Sequence, residues 1–81
     1  MATKATELEK ARAGEGCLGR ARDDEPVFVL RARDSIAADL VRIWAFRAQT
    51  LGAPSAKVRE AFDLADQMDK WGRENGTKVP D

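Results

Sequence analysis

The stretch Glu25-Pro26-Val27-Phe28-Val29-Leu30-Arg31-Ala32-Arg33-Asp34-Ser35 decides the fold. β-Branched and aromatic side chains behind a proline favour extended backbone, so a short β-strand is expected at about 27–32. Period two places Phe28, Leu30 and Ala32 on one face and Val27, Val29, Arg31 and Arg33 on the other. No other segment reads convincingly as a strand, and a lone strand leaves its backbone groups unpaired. Residues 17–21 could supply a short partner in a hairpin. A second copy of the protein could supply a better one.

Downstream, Asp34 or Ser35 is expected to cap a helix at about 36–51. Gly52 suits the residue after its end, and Pro54 forbids continuation. At about 100° per residue, Ile36, Ala37, Leu40, Val41, Trp44, Ala45, Ala48 and Leu51 fill half of its wheel, and Ile43 and Phe46 widen that arc. This is more apolar surface than one partner helix covers. A second helix is expected at about 55–71, with Val58, Ala61, Phe62, Leu64, Ala65, Met68 and Trp71 as its stripe and Gly72 as its stop. A three-residue connection makes the pair an antiparallel hairpin. The expected fold is therefore mainly α: a short strand followed by a two-helix hairpin, oligomeric.

Three regions follow from composition. Residues 1–24 hold few large aliphatics, and residues 3–13 are rich in helix formers without an apolar stripe. A flexible or weakly helical N-terminal segment is expected there, broken at Gly14, Gly16 and Gly19. Residues 25–72 form the core, and 73–81 read as a mobile tail. Eighty-one residues make one domain, whose small core argues for help from another subunit.

Several classes are excluded at once. The chain has 14 basic and 14 acidic residues, a single cysteine and no histidine. That removes an internal disulfide, a protein-only zinc site and a histidine-based triad. No cofactor is expected. No apolar run reaches about 18 residues, so no membrane span is expected. No charged-then-apolar leader is present, so no export signal is expected and the cytoplasm is the anticipated compartment.

The candidate ligand-binding residues are those that break the pattern. Arg47 sits inside the apolar arc, between the wheel positions of Ile36 and Leu40. It is either a snorkelling arginine or a ligand-facing guanidinium. Asp69 falls between Val58 and Phe62, and its expected cation is Arg33 or Arg31. Residues 25–52 contain four arginines and no lysine. The planar arginine fork grips phosphate or carboxylate in two places and stacks on flat rings. Trp44 and Phe46 are core residues or, beside an arginine, stacking surfaces for a base. The candidates are thus Arg31, Arg33, Trp44, Phe46, Arg47 and Asp69. Asp23, Asp24 and Glu25 read as a solvated turn, and Cys17 lacks the partners a catalytic thiolate needs.

The phrase Glu25-Pro26-Val27-Phe28-Val29-Leu30-Arg31-Ala32-Arg33-Asp34, followed by an alanine-rich helix with Trp44 and a second helix ending in Asp69-Lys70-Trp71, resembles a group of small uncharacterised phage and prophage proteins. The resemblance covers about residues 17–80. It implies a phage setting and a host-cell cytoplasm, where small non-enzymatic proteins act on host defence by capturing a nucleotide signal or blocking a protein. It carries no site residues. Three functions remain, none of them enzymatic. The first is an oligomeric protein that captures a small anionic nucleotide at subunit interfaces. The second is a ribbon–helix–helix-like DNA-binding regulator, against which the zero net charge speaks. The third is an inhibitor or adaptor that binds a host or phage protein.

Overall fold

The computed structural model describes residues 2–80. Among them it contains four helices: α1 (Lys4–Arg12), α2 (Gly16–Arg20), α3 (Ala37–Thr50) and α4 (Ser55–Asn75). Helix α1 packs on α2 and α3 packs on α4, and neither helix of the first pair packs on a helix of the second. Met1 and Asp81, which end the two expected terminal segments, lie outside the described residues.

The α3–α4 hairpin is built on small side chains. Its buried residues are Ala37, Ala38 and Ala45 on α3, with Val58, Ala61, Ala65 and Gly72 on α4. Alanines at helical spacing on both surfaces let the two backbones approach closely, which drives the large apolar groups to the flanks. Val41, Ala48, Ala53 and Phe62 pack around the centre of this seam. No large side chain is fully buried among the described residues. Ile36, Leu40, Ile43, Trp44 and Leu51 are instead 40–87% exposed and form a second stripe on α3, turned away from the seam.

The turn between the helices follows from Gly52. Its φ of 85° is open to glycine without a Cβ penalty. The Gly52 amide donates to the Gln49 carbonyl at 3.1 Å and the Ala53 amide to the Ala48 carbonyl at 2.9 Å. This is a Schellman motif, which satisfies two carbonyls at the end of α3. Pro54 follows as the N-cap of α4, and its carbonyl accepts from Lys57 and Val58.

Four expectations need correction. No strand forms at 27–32: the described chain offers that segment no partner, and the β-bridge found among the described residues is a parallel one between Asp34 and Lys78. Residues 17–21 are no hairpin strand either, because 16–20 form α2. Gly19 permits that helix to cross α1, since a Cβ there would lie 2.8 Å from the Gly14 carbonyl carbon. Neither Asp34 nor Ser35 caps α3 with its side chain. The helix starts from Ile36 without a side-chain cap, and the Ser35 amide donates to Lys78 instead. Finally, Gly72 does not stop α4, which runs to Asn75. A Cβ at Gly72 would lie 2.7 Å from the Thr77 methyl, so this glycine makes room for the chain folding back over the helix end. Of the segment expected as a tail, 73–75 belong to α4, and the Lys78 amide donates to the Arg33 carbonyl at 2.9 Å.

In the N-terminal segment, Thr3 caps α1 and forms a reciprocal capping box with Thr6. Neither α1 nor α2 buries a residue, as the missing apolar stripe implies.

Ala45 lies at the centre of the seam with no exposed surface. Ala45→Leu should overpack it and destabilise the protein by about 1–3 kcal/mol. A denaturant melt followed by circular dichroism checks this, and an unchanged midpoint would mean that the helices do not approach so closely.

Candidate functional site

In the antiparallel hairpin, residues facing one another advance in opposite directions. Phe46 therefore meets Phe62, Arg42 meets Asp66, and Arg33 reaches Asn75. This register distributes the six candidates among separate structural neighbourhoods.

Asp69 is paired with Arg42, not with Arg33 or Arg31. The Arg42 guanidinium lies 2.5 Å from Asp69 and 2.9 Å from Asp66 across the hairpin, and 3.5 Å from Asp39 one turn back on its own helix. The first turns of α3 do face Asp69, but the cation they supply is Arg42, one turn into the helix, whereas Arg33 is drawn to the carbonyls at the end of α4. The hydrogen bonds that Arg42 donates to Asp69, and then to Asp66, hold its pKa above the ordinary value. The residue is thus a permanent cation surrounded by three carboxylates, a clamp between the helices. Its sequence signal was the Asp66/Asp69 pair, one turn apart, with Asp39 one turn before Arg42.

Arg33 caps the other end. Its guanidinium donates to the carbonyls of Asn75 at 3.0 Å and Gly76 at 3.2 Å. It also lies over the Trp71 ring, 4.8 Å from the centroid. A cation at the C-terminal end of α4 meets the negative pole of the helix dipole as well as unsatisfied carbonyls. Arg33 is therefore committed to structure. Phe46 stands edge-on to Phe62, at a centroid distance of 5.0 Å and an angle of 79°, and keeps 61% of its surface exposed.

Trp44 and Arg47 remain. They are one turn apart on the outward stripe of α3, Trp44 half exposed and Arg47 exposed. Among the described residues the Arg47 side chain has no ion-pair partner. Ile36, Leu40, Ile43 and Leu51 surround it along the helix. Arg31 is exposed just after the 26–30 segment, apart from that stripe in sequence.

Two concavities flank the hairpin. One of about 340 Å³ lies under the returning chain, lined by Asp34, Ser35, Ala38, Asp69, Arg73 and Thr77 among others. The other, about 660 Å³, is an open groove at the helix turn that includes Gln49, Ser55, Arg59, Phe62 and Asp63. Asp69 alone of the six candidates lines either. No cluster of cysteine or carboxylate side chains suited to a metal ion occurs among the described residues. No helix is long and apolar enough to cross a membrane.

Comparison with protein families, curated proteins and solved structures finds no match to the chain.

Arg33→Ala removes two hydrogen bonds and a ring contact at the α4 end. It should cost about 1 kcal/mol of stability and speed amide exchange at Lys78, whose amide bonds to the Arg33 carbonyl. Exchange at Lys78 unchanged from the parent would show that the side chain does not hold the returning chain.

Proposed function

We propose that this is a non-enzymatic binding protein that works as an oligomer and captures a small anionic ligand of nucleotide type where subunits meet. The supporting observation is the pair Trp44 and Arg47. A flat base can stack on the indole while the guanidinium forks onto a phosphate one turn away. Arg47 is free for this, since its charge meets no carboxylate among the described residues. The apolar stripe around it would lower the local dielectric once covered, which strengthens a charge-assisted bond.

The oligomeric part of the reading rests on the alanine seam. A small domain that keeps its large apolar groups outside is short of burial, and another subunit is the help left to it. The phage resemblance of residues 25–34 adds the setting: a host-cell cytoplasm, and an anti-defence role as a sponge for a nucleotide-derived host signal. A second reading, an inhibitor or adaptor for a host or phage protein, draws on the exposed stripe itself. The ribbon–helix–helix reading has less support, because the chain has no basic excess to track phosphates.

Thermal shift with a panel of linear and cyclic nucleotides tests the capture reading. At a ligand concentration about a hundredfold above Kd, stabilisation is about 2.7 kcal/mol. That corresponds to a rise in Tm of about 15 °C for a chain of this size. Arg47→Ala should abolish the rise with helix content intact, and Trp44→Ala should reduce it. If no nucleotide raises Tm, the capture reading is wrong.

A further inference from the structure

Residues 26–30 form no backbone hydrogen bond among the described residues. Yet they are proline followed by valine, phenylalanine, valine and leucine, which suit a sheet far better than solvated coil. Val27 is 55%, Phe28 87% and Val29 71% exposed. The residues on either side carry opposite charge at matching distances from Phe28. Glu25 precedes it by three positions and Arg31 follows by three.

We propose that this segment pairs antiparallel with the same segment of a second copy, about a twofold axis at Phe28. This deepens the oligomeric part of the preceding reading and rests on that part alone. The register is the one that faces Val27 with Val29 of the other copy, Pro26 with Leu30, and Glu25 with Arg31. Four features agree with it. The charge order is self-complementary only when the two strands run in opposite directions, and acid then meets base at both ends. Hydrogen-bonded and non-hydrogen-bonded pairs alternate along an antiparallel ladder. With Val27 and Val29 in the bonded pairs, Pro26 falls in a non-bonded one, where its missing N–H costs nothing. The ladder also ends where the protomer already uses its backbone. The Glu25 amide donates to Arg22 and the Arg31 carbonyl accepts from Asp34 within the chain. Finally, the two Phe28 rings meet at the axis, where non-bonded neighbours stand closest, and cover the most exposed side chain of the segment.

The test uses the full chain. Sedimentation should show a dimer or a multiple of it at tens of micromolar. Glu25→Arg and Arg31→Glu should each weaken association about tenfold or more, by placing like charges opposite one another twice per dimer. The double variant E25R/R31E should restore it, which a merely local effect of either residue would not do. Phe28→Cys in a Cys17→Ser background should cross-link under mild oxidation, whereas Val29→Cys, which faces Val27, should not. A monomer at 100 µM (roughly tenfold above a Kd of about 10 µM) overturns the proposal. So does a dimer whose double variant is no better than the single ones, or one cross-linked at position 29 and not at 28. A paired dimer that binds no nucleotide leaves this inference standing and removes only the capture reading. A monomer that binds nucleotide overturns this inference and the oligomeric part of the capture reading, and leaves only nucleotide binding itself.

Discussion

The alanine seam between α3 and α4 is the constraint on which the rest depends. Ala37, Ala45 and Ala65 have no exposed surface, and Val58 is the largest residue in the buried set. Small side chains allow the helices to come close, and dispersion contacts between the two backbones and their methyl groups hold them there. That arrangement buries little apolar area. It leaves Ile36, Leu40, Ile43, Trp44 and Leu51 on the opposite surface of α3, so the protomer has a thin core and a broad apolar exterior. The hairpin is then tied at three places by polar contacts: the Schellman turn at Gly52, the Arg42 clamp in the middle, and the Arg33 cap at the far end.

This division of labour sorts the charged residues. Arg42 and Arg33 serve the hairpin, each matched to the groups opposite it. Arg47 and Arg31 face outward. The contrast is informative because all four belong to the same lysine-free stretch. An arginine opposite Asp66 and Asp69, or opposite the last carbonyls of α4, has a structural use. One in the middle of an apolar stripe has none within the described chain, which is why the proposed ligand site is placed at Arg47 and Trp44.

Much of the helical architecture was legible in the sequence. Gly52 and Pro54 fixed the turn because one needs a positive φ and the other cannot continue a helix. The apolar spacing of Val58, Ala61 and Ala65 fixed the face of α4. Other features were not legible because they depend on contacts distant in sequence. Gly72 reads locally as a stop, but its reason is the approach of Thr77, visible only once the chain folds back. The partner of Asp69 depended on which arginine the folded chain brings to it, and Arg33, nine residues before Arg42, is instead held at the end of α4. The strand at 27–32 was read from composition, which reports a preference for extended backbone but not the presence of a neighbour to pair with.

The central claim is that the protomer is incomplete and that its unpaired segment is completed by another copy. Amide hydrogen exchange at Val27 and Val29, measured across protein concentration, addresses it most directly. The account predicts fast exchange in dilute protein and slowing by an order of magnitude or more as concentration rises through the association range, with the amides inside α3 much less affected. Equally fast exchange at every concentration would contradict it.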